Sequence, residues 1–93
     1  MNNDFFNKKV RIAKSFITRK VDNTMLVYDE ETGDMYELNE TSEYILKRIK
    51  QNISLKEIYN ELCDEYDGDT DVIMQDYLTL IFQLKENGII IDC

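Results

Sequence analysis

The 93-residue chain has no histidine, no proline and no tryptophan, and it has only three glycines and two cysteines. Each scarcity closes off a class of function. Without histidine the chain lacks the commonest general base and the commonest metal ligand. Three scattered glycines build no glycine-rich phosphate cradle. Cys63 and Cys93 stand in no metal-ligand spacing and are read as two reduced thiols. The six tyrosines have no base beside them in sequence to activate a phenol. The acidic stretch CDEYDGDTD (63–71) lacks the register and the closing glutamate of a calcium loop. No metal, no cofactor and no catalytic residue is therefore expected, and the chain is not expected to be an enzyme. No apolar run approaches the roughly 18–20 residues of a membrane span. The opening MNNDFFNKKV has no apolar signal-peptide core, so a cytoplasmic chain without membrane contact is expected.

What is present is charge, and it is unevenly placed. Eleven basic residues face nineteen acids, for a net charge of −8. Residues 1–20 hold six basic groups against one acid (Asp4), whereas residues 21–93 hold five against eighteen. A body that acidic repels a phosphate backbone, whose attraction supplies most non-specific nucleic-acid affinity. The basic start reads either as a solvated end or as a handle for an acidic partner. At 43% hydrophobic and 32% charged, the composition is that of a folded chain of one domain. Residues 1–9 show no periodicity and read as a flexible arm, with a single domain over 10–93.

Along that domain, VRIAK (10–14) reads as an extended lead-in. SFITRKV (15–21) alternates, with Phe16, Thr18 and Lys20 on one face and Ile17, Arg19 and Val21 on the other. Asp22-Asn23 punctuates it, TMLVYD (24–29) is β-prone, and EETG (30–33) makes a second turn in which Gly33 is free to take positive φ. DMYEL (34–38) then alternates, with Tyr36 and Leu38 on the face opposite Met35 and Glu37. Three strands joined by two tight turns make an antiparallel meander. Asn39 is placed to cap a helix over ETSEYILKRIKQN, whose apolar face is Ile45, Leu46 and Ile49. Ser54 and Glu57 have capping-box spacing, with Ile53 and Ile58 at staple positions, and open a second helix. A third runs from about 70 to 87 after the break at DGD (67–69) and stops at Asn87-Gly88; IIID at the end adds a few extended residues. The order β-β-β-α-α-α predicts an α+β fold with the helices on one face of a small sheet.

That ordered pattern resembles the PqqD-like family. The segment TRKVDNTMLVYDEETGDMYELNETSEYILKRI is similar to its opening, with the family's G-x-x-Y-x-L-N-x-T pattern ahead of the first helix. ISLKEIYNELCDEYD and VIMQDYLTLIFQLKENGII are similar to its second and third helices. The likeness covers residues 16–91 and contains no catalytic motif. Leu46 stands where many relatives have tryptophan, and Asp76 keeps the family's usual acid. The resemblance implies a winged helix-turn-helix-like fold and a non-catalytic recognition element for ribosomally made, modified peptides. Such elements hold the leader segment of a precursor as an added strand on the third strand of the meander, against the third helix. They present the rest to a modifying enzyme such as a radical SAM protein or a leader peptidase.

The residues are compatible with that mode. DMYEL has no proline, lysine or glycine bulge to guard an exposed edge. Its acids, Asp34 and Glu37, either favour a basic leader or only keep the edge soluble. In the third helix Ile73, Tyr77, Leu80, Ile81 and Leu84 make a core stripe, while Met74, Leu78 and Phe82 make a second one turned about 100° from it. That second stripe either lines a peptide groove or packs on the first helix or the arm. The expected leader-binding set is Asp34, Met35, Tyr36, Glu37, Leu38, Met74, Leu78, Phe82 and Lys85. The competing reading is a winged-helix DNA-binding regulator. It requires a basic recognition helix, and the third helix carries one basic residue, Lys85, against Asp71, Asp76 and Glu86.

Overall fold

The computed structural model describes residues 8–66 and 68–93; residues 1–7, most of the expected arm, and Asp67, at the start of the expected DGD break, lie outside the described residues. Strands β1 (Val10–Ile12), β2 (Phe16–Val21), β3 (Thr24–Asp29) and β4 (Met35–Leu38) precede helices α1 (Glu40–Lys50), α2 (Leu55–Glu65) and α3 (Thr70–Glu86), and β5 (Ile90–Asp92) closes the chain. Strands β2, β3 and β4 form an antiparallel meander in that order. The fold is α+β, with a three-stranded sheet and three helices, as the order of patterns predicts.

Local chemistry sets the boundaries. Asp22 turns β2 into β3 with φ 55°, and Gly33 turns β3 toward β4 with φ 81°. The Asp29 side chain accepts the Glu31 N–H at 2.9 Å and fixes the start of that second turn. Asn39 caps α1 through the Ser42 N–H (2.8 Å), and Ser54 caps α2 through the Glu57 N–H (3.2 Å). Two helices end the same way. Asn52 (φ 64°) follows α1 with the Ile53 N–H donating back to the Arg48 carbonyl, and Gly88 (φ 73°) follows α3 with the Ile89 N–H donating to the Leu84 carbonyl. Both are six-to-one closures that satisfy late carbonyls and turn the chain sharply.

The core lies between the inner sheet face and the helices. Val27, Ile45, Leu46, Leu55, Ile58, Tyr77, Ile81 and Ile89 are almost wholly removed from solvent. Phe16 leans on Tyr36 with ring centroids 6.3 Å apart, and Tyr36 and Leu38 pack half-buried against the core. The inward assignment of alternate β4 residues thus holds. One pairing is more than the sequence patterns foresee. The lead-in and the tail form a two-stranded antiparallel ribbon, with Val10 opposite Asp92 and Ile12 opposite Ile90. It buries Val10 and Ile90 and joins the two ends of the domain.

Candidate functional site

β4 is an edge strand, and the register tells which of its backbone groups are free. The Asp29 N–H donates to the Asp34 carbonyl and the Glu30 N–H to the Ser15 carbonyl, both at 2.8 Å. Odd-numbered residues of β3 therefore aim their backbone groups at β4, and even-numbered ones aim theirs at β2. With Val27 opposite Tyr36 and Met25 opposite Leu38, Tyr36 and Leu38 bond back to β3, while Met35 and Glu37 turn their N–H and C=O groups outward. The other edge, β2, is protected differently. Arg19 and Lys20 lie on it, Lys20 is paired with Glu43 of α1 (2.8 Å), and Lys50 of α1 donates to the Thr18 hydroxyl (2.7 Å). Long basic side chains are a usual guard of an exposed edge, and β4 has none.

A groove runs beside β4. A hollow of about 230 Å³ lies between Tyr36–Leu38 and the end of α3, where Leu80, Gln83 and Leu84 line it together with Asn87 and Ile89 just beyond the helix. It leads through Asn39, Leu80 and Gln83 into a second hollow of about 480 Å³. Buried Leu62 and Tyr77 and half-buried Ile73 line this one, together with Thr41, Tyr66, Asp76 and Thr79. The Tyr77 hydroxyl donates to the Leu55 carbonyl at 2.7 Å, which ties α3 to the start of α2 below the groove.

The structure brings together only part of the expected residue set. Tyr36, Glu37 and Leu38 line the first hollow, and Met35 stands 58% exposed on the same strand. Asp34 is exposed just before β4, its N–H donating to the Thr32 hydroxyl. Met74, Leu78, Phe82 and Lys85 line neither hollow. At 100° per residue they fall on the opposite flank of the Tyr77–Ile81–Leu84 stripe from Asp76, Leu80 and Gln83. On that flank Lys85 pairs with Asp92 of β5 (2.9 Å), Met74 and Leu78 are half-buried, and Phe82 is 62% exposed. Sequence reasoning missed Asn39, Asp76, Leu80, Gln83 and Asn87 as groove residues. The signal that could have found them is their i, i+4, i+7, i+11 progression from Asp76 through Leu80, Gln83 and Asn87, on the flank where the apolar pattern is interrupted.

Among the described residues no three carboxylate or thiol groups are gathered as metal ligands. Tyr59 is pushed up to about 12, first by its hydrogen bond to Cys63 and then by burial, and burial also pushes the Tyr77 phenol up. Both stay protonated at neutral pH. The carboxyls of Glu43 and Glu61 are held below their ordinary value, the first by Lys20 and Lys47 and the second by Arg48 and Tyr44. Neither carboxylate belongs to a residue that lines the two hollows.

A family model described as coenzyme PQQ synthesis protein D (PqqD) matches residues 24–90, from the first residue of β3 to the first of β5. The chain belongs to the PqqD family. Among curated proteins no sequence matches it. Two solved structures resemble this PqqD-family chain closely. One is described as "Lasso peptide synthetase B1 complexed with the leader peptide", with 25% identity and a TM-score of 0.81 over 89% of this chain and 98% of that one. The other, "TbiB1 in Complex with the TbiA(beta) Leader Peptide", has 18% identity and a TM-score of 0.78 over 86% of this chain and 93% of that one. The second shares the fold; both carry a leader peptide in the solved complex. No helix among the described residues is long and apolar enough to cross a membrane.

Proposed function

We propose that this PqqD-family chain is a non-catalytic adaptor. It binds the leader segment of a ribosomally made precursor peptide by strand addition to β4 and presents the precursor to a separate modifying enzyme in the cytoplasm. That enzyme is a radical SAM protein or a leader peptidase. The observation that carries the reading is the unguarded edge. Met35 and Glu37 point N–H and C=O groups away from β3 beside a groove walled by α3. An edge of this kind takes its affinity from main-chain hydrogen bonds and its selectivity from alternate side-chain pockets. Leader complexes of the two similar structures support it. The DNA-binding alternative gains no support, because α3 exposes Asp71, Asp76 and Glu86.

The test uses the peptide that co-purifies with the protein from its native host. Titrated into isotope-labelled protein, it should shift the amides of residues 35–38 and of the α3 flank at Asp76, Leu80 and Gln83 first. Met35→Pro removes one outward donor and leaves the β3–β4 ladder intact, so it should weaken binding by roughly threefold to tenfold with little loss of fold. Shifts confined to the exposed surface of α1 and α2, with full affinity in the proline variant, would remove β4 as the docking edge.

A further inference from the structure

The charge around the groove is of one sign, and this inference rests on the reading of β4 as the edge that takes the leader. The charged residues along the two hollows are Glu37, whose side chain stands on the outer face of β4, and Asp76, and Asp34 is exposed just before the strand. Neither Glu37 nor Asp76 enters an ion pair among the described residues. Lys20 and Lys47 are committed to Glu43, Arg48 to Glu61 and Lys85 to Asp92. The carboxylates of Glu37 and Asp76 are therefore open to a guest's cation.

The register says where a guest's charge must sit. The sheet is antiparallel throughout, and sheets of one sense are favoured over mixed ones, so the guest runs antiparallel to β4. Its main chain bonds to the outward groups of Met35 and Glu37. Directly opposed residues in neighbouring strands point their side chains to the same face. Guest residues opposite Leu38 and Tyr36 therefore face the hollow, against Leu80 and Leu84. The residue opposite Glu37 stands on the outer face beside its carboxylate. The residue opposite Met35 also stands on the outer face. There it prolongs an apolar row that crosses the sheet from Ile17 through Tyr28 to Met35, whose two ends are 46% and 58% exposed.

We infer that the docked leader segment reads, from its N- to its C-terminal side, apolar–cationic–apolar–apolar, with a lysine or arginine opposite Glu37. An acid in that place would set two like charges directly across the ladder, an arrangement that destabilises a strand pair. Residues ahead of this segment pass over the deeper hollow, where Asp76 favours a second cation or a hydroxyl.

The experiment selects short linear peptides from a displayed library on the immobilised full-length protein, and on its Glu37→Lys variant. Selected peptides are then titrated into labelled protein. Binders that shift residues 35–38 should carry Lys or Arg at the position flanked by apolar residues. Exchange of that residue for glutamate should weaken binding by about threefold to tenfold, with the gap narrowing at high salt. The Glu37→Lys variant should select aspartate or glutamate there instead. Binders that shift residues 35–38 without any cation preference overturn this inference and leave strand addition standing. Failure to select any binder, or binders that all shift another surface, overturns both.

Discussion

A single buried acid joins sheet to helix. Glu43 is 8% exposed, yet it accepts ion pairs from Lys20 of β2 at 2.8 Å and Lys47 of α1 at 2.9 Å. Two ammonium groups on one carboxylate keep it ionised, which is why its pKa lies below that of a free glutamate. The sign of the pH effect follows. A carboxyl whose folded pKa is depressed contributes stability that is present above the unfolded value, about 4.3, and is lost as pH falls through the folded one. Glu43→Gln should therefore melt at a lower temperature than the parent at pH 7. The gap should shrink toward zero as the pH drops below about 4. Thermal melts followed by circular dichroism between pH 7 and pH 3 check this, and a gap that persisted unchanged at pH 3 would show that the charge is not what matters. Only the local half of this pairing could be read from the sequence. Lys47 sits four residues from Glu43 on one helix, which a pattern can suggest, but Lys20 lies 23 positions away and meets it only because β2 ends beside α1.

The elements themselves were legible where chemistry is local. The alternation of Tyr36 and Leu38 against Met35 and Glu37 gave β4 its inward face, and Asn39, Ser54 and Gly88 marked helix ends that the hydrogen bonds bear out. What a helical repeat cannot tell is which flank of a core stripe meets which neighbour. Apolar content drew attention to Met74, Leu78 and Phe82, whereas the flank beside β4 is Asp76, Leu80 and Gln83. That flank is mixed in character because its groove is open to water on one side, so no apolar pattern advertises it. The two flanks make opposite predictions for the candidate site. Leu80→Ala removes apolar surface that a guest would cover and should weaken peptide affinity about tenfold. Phe82→Ala, at a side chain on the other flank, should leave affinity within twofold or so of the parent. Fluorescence anisotropy with a co-purified leader peptide, well below either melting temperature, separates the cases. The reverse ranking would assign the guest to the Met74–Phe82 side.

At the scale of the whole molecule, the terminal ribbon decides whether the domain holds together, and it is the part of the fold that short-range patterns conveyed least. β1 and β5 are three residues each, and their pairing spans nearly the full chain length. Three-residue strands carry too few alternations to show a period, and nothing near Val10 in sequence marks its partner. Yet Ile89 and Ile90 are each 1% exposed and Val10 is 3% exposed, so the ribbon closes the core rather than decorating it. The sharp turn at Gly88 sends β5 back beside α3, where Lys85 pairs with Asp92. This is the face of α3 turned away from β4. The division implies that stability and recognition can be damaged separately. Ile90→Ala removes buried methyl groups with no room for solvent to replace them and should destabilise the fold by roughly 2–5 kcal/mol. That is a large share of the ~5–15 kcal/mol that holds a typical domain. Because the β4 edge and the Asp76–Gln83 flank are untouched, the fraction of protein that remains folded should bind peptide with parental affinity. Denaturant melts give the first quantity and titrations at low temperature the second. If affinity fell in step with stability, the ribbon would have to set the position of α3 against β4, and the two faces of the helix would not be independent.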